Sequence, residues 1–260
     1  MSQWITVGEP GESRPIAVLV REGAGPPVVW LAGFKSDMRS TKASALDAWA
    51  ERTGRCLVRF DYTGHGESGG VFEASTISDW LEDTVAVLER VVPGRPILVG
   101  SSMGGWLALL ATRTLLERRP DRAPCGLVLI APAVDFTERL MWDHFPDDIR
   151  RIILEDGSFR RPSLYADEGY AITRELIEDG RRHLLLGAPI ATGCPVHILQ
   201  GMQDPDVPWS HAMQVVEHLP GDDVSLTLIK DGDHRLSRPE DVEQLISAIE
   251  GIAPRAGIAG

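Results

Sequence analysis

A chain of 260 residues, 43% apolar and 25% charged, can bury roughly three-quarters of its unfolded surface in one large domain. Its composition excludes disordered, collagenous and fibrous classes. The formal charge of −12 repels phosphate backbones and anionic membranes, so nucleic acid is not an expected partner.

Of the 26 basic residues only Lys35, Lys42 and Lys230 are lysines; the arginines run along the whole chain and mark no site. Cys56, Cys125 and Cys194 are odd in number and in no CxxC spacing, which points to buried free thiols rather than a disulfide framework or a zinc site. The start, MSQWITVGEPGESR, has neither a basic n-region nor a long apolar h-region, and no later run approaches 18 apolar residues. A soluble, cytoplasmic chain without a membrane span is expected.

In chain order, residues 5–7 and 16–20 read as antiparallel strands at one sheet edge. Residues 28–31 open a set of five short runs that are apolar on successive residues, as strands covered on both faces should be; the others are 56–60, 97–99, 127–130 and 196–199. A helix is expected over 42–52. The next one has the clearest stripe, Ile77, Trp80, Leu81, Thr84, Val85 and Leu88, with Ser75 or Ser78 as its N-cap. Helices are also expected over 103–116, 210–218 and 239–252, and a more alternating strand over 224–229. There is no internal repeat, and the alternation of strand and helix predicts an α/β fold with a mostly parallel, doubly wound sheet.

From 134 to 188 that alternation stops, and short helical patterns carry charge pairs such as Asp147-Asp148 and Arg181-Arg182. This reads as an inserted helical cap on a core made of residues 1–133 and 189–260. Its Trp142, Phe145, Phe159, Tyr165 and Tyr170 are candidates for lining a substrate pocket, although packing a helix on its core is the commoner use of such side chains.

The chemistry concentrates in ILVGSSMGGW, a GxSxG between an apolar strand and a helical run. A turn this tight has no room for side chains at Gly100 and Gly104, and it thrusts Ser102 outward with its hydroxyl clear of the sheet. Ser102 is therefore the candidate nucleophile. A bare GxSxG is often only a connection, but the flanking strand and helix favour chemistry. Ser101 lacks the glycines two positions to either side and is read as a turn residue.

A serine hydroxyl needs a base within reach and a carboxylate to hold that base. In a sheet of this kind they come from later strand ends in the order Ser, Asp or Glu, His. The turn GMQDPDVP after residues 196–199 offers Asp204, with Asp206 an alternative on spacing alone; DGDH after residues 224–229 offers His234 as the base. His65, between glycines in DYTGHGES, precedes the serine and fits a turn, so it is assigned no catalytic role. His197 lies in a strand, and His211 and His218 on a helix whose face is partly solvated. The oxyanion calls for backbone donors: Met103 N–H after the nucleophile and Phe34 N–H in Ala32-Gly33-Phe34-Lys35, where Gly33 permits the approach. Lys35 and Ser36 are candidates for a further polar contact there, although a solvated loop charge is the commoner explanation.

At these residues the chain resembles the α/β-hydrolase superfamily, and within it the palmitoyl-protein thioesterase and acyl-glucuronide esterase branch, mitochondrial in animals and with bacterial relatives. The markers LAGFKSDM, TKA, RFDYTGHGES, ILVGSSMGGWL, GMQDPDVPW and DHR stand in the family's order between about residues 28 and 249. The resemblance implies a cap of similar length, Ser102, Asp204 and His234 at the triad positions, and Phe34 and Met103 at the oxyanion positions. The superfamily's frequent His-Gly before the oxyanion residue is Ala32-Gly33 here, and the related branch also lacks that histidine.

The expected function is hydrolysis of carboxylic esters or thioesters through an acyl-enzyme, S-deacylase and acyl-glucuronide esterase activities included. The substrate is a small molecule or an acylated partner, and no metal or organic cofactor is required. Perhydrolysis or C–C bond hydrolysis by the same triad, and a non-catalytic ligand receptor on the same fold, are the alternatives.

Overall fold

The computed structural model of the chain describes residues 2–9, 11, 13–161, 169–221 and 223–256. The two early runs form β1 (Gln3–Val7) and β2 (Arg14–Arg21), an antiparallel pair at one edge of the main sheet. The run at 28–31 is the end of β3 (Ala24–Leu31), followed by α1 (Thr41–Thr53) and β4 (Arg55–Phe60), then α2 (Ile77–Arg90) and β5 (Ile97–Ser101). α3 (Met103–Arg118) leads to β6 (Gly126–Ile130). Every residue of β5 and β6 is buried, which is why their sequences are apolar without alternation.

α2 begins one residue after its cap, and that cap is Thr76 rather than Ser75 or Ser78. Asp79, three residues on, accepts the Thr76 N–H in return, completing a capping box that neither serine has the spacing to make. The Ser75 hydroxyl donates to the Val71 carbonyl, and that of Ser78 donates to Asp179.

After β6 come a π-helical turn (Thr137–Met141), α4 (Asp147–Asp156), the antiparallel ribbon β7 (Ser158–Arg161) and β8 (Tyr170–Thr173), and α5 (Arg174–Gly180). The ribbon departs from the purely helical expectation. Each of its strands is only four residues long, and SFRR shows no apolar run to betray a strand. Two buried aspartates tie this segment down. Asp135 accepts the N–H groups of Leu185 and Leu186 at 2.8 and 2.9 Å, and Asp179 accepts the N–H and hydroxyl of Ser78 at 2.8 and 2.7 Å.

The main sheet resumes with β9 (Val196–Gly201), α6 (Trp209–His218), β10 (Val224–Ile229) and α7 (Pro239–Ala256). Its strand order is β1-β2-β4-β3-β5-β6-β9-β10, parallel from β4 to β10. From β3 the chain steps to β4 on one side, then crosses to β5 on the other. The carboxyl ends of β3 and β5 therefore flank a topological switch point, where open α/β sheets hold their ligands. No helix among the described residues is long and apolar enough to cross a membrane.

Candidate active site

Ser102 leaves β5 with φ 55° and ψ −117°, a left-handed conformation that costs a non-glycine residue on the order of 1–3 kcal/mol. The surroundings hold it there. Its N–H donates to the Ile130 carbonyl at 2.8 Å, and its own carbonyl accepts from Gly105 and Ala133 at 2.9 and 3.1 Å. A Cβ on Gly100 would strike the Gly104 carbonyl, and one on Gly104 would strike the carbonyls of Leu31 and Ala32. The glycine pair is thus a steric requirement of the turn.

The loops after β9 and β10 supply the other two groups. A Cβ on Gly201 would collide with the carbonyls of Gly232 and Asp233, so the loops run backbone against backbone, joined by Gln203 N–H to the Gly232 carbonyl at 2.9 Å. They bring His234 Nε2 to 3.1 Å from Ser102 Oγ and His234 Nδ1 to 2.8 Å from Asp204 Oδ2. Asp204 is buried, and its Oδ1 accepts the N–H groups of Asp206 and Val207, both at 2.8 Å. With an acceptor-only carboxylate opposite Nδ1, the imidazole carries its proton there and presents a lone pair at Nε2 to the serine hydroxyl.

Asp206, the alternative on spacing, is exposed and gives its backbone N–H to Asp204. Asp204, Asp206 and His234 do have ligand-type atoms within 4.8 Å of one another, but Asp204 Oδ2 and His234 Nδ1 already face each other across a hydrogen bond. The His234 loop is tied from two sides: the Lys42 ammonium donates to the Arg235 carbonyl, and Arg238 pairs with Asp231 and Asp241 at 2.7 and 2.9 Å.

Met103 is the first residue of α3, where a backbone N–H has no partner within the helix. Gly33 packs against the serine turn, since a Cβ there would lie 3.3 Å from the Ser101 carbonyl and 3.4 Å from Ser102 Cβ. Phe34 follows, its ring edge-on to Phe72, Trp80, Phe136 and Tyr170 with centroids 4.9 to 5.8 Å away. Lys35 is not simply solvated: its ammonium lies 4.6 Å from the Phe72 ring centre and its N–H donates to His65 Nε2 at 3.2 Å.

His65 is buried, and burial lowers its pKa to about 4 from 6.5. An imidazole kept neutral by the fold takes up a proton in the unfolded chain between those values. Its contribution is intact above pH 6.5 and is lost as pH falls toward 4, by about 1.4 kcal/mol per unit. Asp83, pushed up to about 6 by burial, has the opposite sign: its contribution is intact below pH 3.8 and lost as pH rises through 6. The expected outcome is therefore a difference between proteins. In urea unfolding at pH 7 and pH 5, His65→Gln loses less stability on acidification than the wild type, by on the order of 1–2 kcal/mol.

A cavity of about 760 Å³ opens over Ser102. Phe34, Phe136, Leu140, Met141 and Tyr170 line it with apolar surface, while Asp37, Lys42, Arg235 and Ser237 contribute polar groups. Lys42 is 9% exposed, and burial, followed by the charge of Arg235, lowers its pKa to about 8.

Of the aromatic residues singled out between 134 and 188, Tyr170 lines the cavity. Trp142 instead stacks under Arg181 and Arg150, Phe145 packs on Phe159, and Tyr165 lies outside the described residues. His211 is buried with Nε2 2.9 Å from the Val134 carbonyl, so it faces inward on its helix. Cys56 and Cys125 are buried free thiols, and Cys194 is a half-buried one.

A serine on a strained strand-to-helix turn, at the switch point of a parallel sheet and facing an imidazole from a later loop, defines a hydrolase of the α/β class. The chain belongs to the alpha/beta hydrolase family, whose profile matches residues 23–245. It is 34% identical over 232 residues to palmitoyl-protein thioesterase ABHD10, mitochondrial, of Homo sapiens, an alignment spanning 89% of this chain and 74% of that protein. The structure of alpha/beta hydrolase domain-containing protein 10 from mouse superposes with a TM-score of 0.85 at 33% identity, covering 96% of this chain and 97% of the other. A crystal structure of a protein from Agrobacterium vitis S4 superposes with a TM-score of 0.94 at 49% identity, covering 97% and 98%. The resemblance read from the motifs is borne out, and so is the α/β-hydrolase fold.

Proposed function

We propose that this hydrolase cleaves carboxylic esters and thioesters through an acyl-enzyme on Ser102, with long-chain S-acyl compounds within its substrate class. The observation that carries the reading is the continuous contact from Ser102 Oγ through His234 to the buried Asp204, at 3.1 and 2.8 Å.

His234 Nε2 accepts the serine proton as Oγ attacks the acyl carbon, and Asp204 stabilises the imidazolium that results. The oxyanion receives the N–H groups of Phe34 and Met103, each such donor being worth roughly 3 to 4 kcal/mol of barrier. His234 then protonates the departing alcohol or thiol. A water molecule, deprotonated by the same nitrogen, attacks the acyl-enzyme and frees the acid and Ser102. Residues 134–188 act as a cap, contributing Leu140, Met141 and Tyr170 to the apolar lining that receives the acyl chain. The thioesterase name borne by the human relative supports the thioester half of the class.

The test is a series of p-nitrophenyl esters from acetyl to octanoyl and beyond, run beside the matching acyl thioesters. Turnover of both series is expected, with kcat/KM rising at least about tenfold with chain length, since each buried methylene is worth about 0.8 kcal/mol. Inactivity on both, with cleavage of a diketone, overturns the proposal in favour of C–C hydrolysis.

A further inference from the structure

The motif DYTGHGES, residues 61–68, follows β4 and has no part in the contact of Ser102, His234 and Asp204. It packs directly against the loop that carries Phe34. Two of its side chains accept hydrogen bonds from that loop's backbone: His65 Nε2 from Lys35 N–H at 3.2 Å, and Asp61 Oδ1 from Met38 N–H at 2.7 Å. Both side chains are buried, His65 at 4% and Asp61 at 1% exposure.

The imidazole is fixed in tautomer and in orientation. His65 Nδ1 lies 3.1 Å from the Thr63 carbonyl, which can only accept, so the ring proton sits on Nδ1 and Nε2 offers its lone pair to Lys35. Thr63 is itself held by Asp83, which accepts its N–H and hydroxyl at 2.8 and 2.7 Å. Tyr62, Phe72 and Trp80 enclose the ring edge to face.

The Lys35 N–H belongs to the peptide plane that follows Phe34, and Lys35 reverses the chain with φ 58°. Ser36 N–H closes the turn on the Gly33 carbonyl at 3.0 Å. With the peptide plane on one side of Phe34 held by His65 and the residue on the other side held by the turn, the Phe34 dihedrals have little freedom left.

We propose that His65 is a positioning residue which, by accepting the Lys35 N–H, aims the Phe34 N–H at the oxyanion formed when Ser102 attacks. The assignment rests on the reading of Ser102 as nucleophile. His65 touches no reacting atom and acts through the backbone. It must be neutral to accept; burial keeps it so against the hydrogen bond to the Thr63 carbonyl and the charge of Asp37, with the Lys35 charge reinforcing burial, and Asp83 holds the Thr63 N–H and hydroxyl.

His65→Asn and His65→Gln separate this role from mere packing. Asparagine can still donate to the Thr63 carbonyl but stops short of Lys35, whereas glutamine carries an acceptor oxygen out to the position of Nε2. Rates are expressed per Ser102 titrated with a fluorophosphonate, so misfolded protein does not count.

H65N is expected to lower kcat by about 10²-fold with KM within about threefold, because a small misplacement of a donor acts on the transition state. It should weaken an alkylboronic acid, which forms a tetrahedral adduct on the serine, by a similar factor, and H65Q should recover at least about tenfold of both losses. Should H65N not fold, His65→Leu, which fills the space among Tyr62, Phe72 and Trp80 but can accept no hydrogen bond, is expected to lose kcat in the same KM-neutral way. H65N or H65L with wild-type kcat and boronate affinity, or H65Q no better than H65N, overturns the assignment alone. A wild-type chain that the fluorophosphonate does not label overturns the reading of Ser102 as well.

Discussion

Ser102→Ala is expected to leave a folded protein whose kcat is lower by about six orders of magnitude and which no longer takes a fluorophosphonate label. The size follows from the chemistry. Without the hydroxyl there is no acyl-enzyme, and what survives is the oxyanion site and binding, which together keep about 10³ to 10⁴ over water. Stability should hardly move. Alanine has the same Cβ as serine at φ 55° and ψ −117°, so backbone strain is neither relieved nor added, and the lost hydrogen bond to His234 is worth about 1 kcal/mol. Steady-state rates on a p-nitrophenyl ester, labelling and a thermal melt check all three statements. A variant that keeps activity within tenfold of the wild type would transfer the nucleophile's role to another residue, with Ser101 the first to examine.

Asp204→Asn should lower kcat by about four orders of magnitude, against less than tenfold for Asp206→Asn. Asp204 Oδ2 is the partner of His234 Nδ1 and Oδ1 is occupied by two backbone N–H groups, so the side chain cannot turn away. An asparagine held in that frame keeps the Oδ1 contacts with its oxygen and points its NH₂ at Nδ1, which forces the imidazole proton onto Nε2. The nitrogen facing Ser102 is then a donor where an acceptor is needed. Asp206 is exposed, and losing its charge leaves the tautomer alone. Parallel kcat measurements on the two variants decide between them, and a reversed order would move the carboxylate's role to Asp206.

The sequence makes some of this legible and hides the rest for identifiable reasons. Ser102 stands out because its signal is local: two glycines, an apolar strand and a helical run are all within reach of one another along the chain. His234 follows from strand order. Asp204 and Asp206 cannot be separated by spacing, since what distinguishes them is which carboxylate turns inward to take the N–H groups of Asp206 and Val207.

His65 is harder still. Its neighbour Lys35 is 30 residues away, and the hydrogen bond joins a side chain to a backbone, which leaves no residue-type signature on the loop. The same reasoning covers Lys42, whose ammonium reaches the Arg235 carbonyl across 193 residues. The ribbon of β7 and β8 escapes because four-residue strands carry too little pattern, and the α2 cap because three hydroxyl residues within four positions compete for one place.

β10 is paired with β9 alone and forms the outer margin of the sheet, whereas β5 has neighbours on both sides. The proposed proton acceptor, His234, therefore hangs from an edge strand and the proposed attacking oxygen, on Ser102, from an interior one. Peeling of that margin, resisted by the ladder to β9 and by the ties of Lys42 and Arg238 on the His234 loop, would silence turnover while the interior of the sheet stayed whole. Durability of function and durability of shape are in that sense separate properties of this molecule, and the former depends on a handful of contacts at its rim.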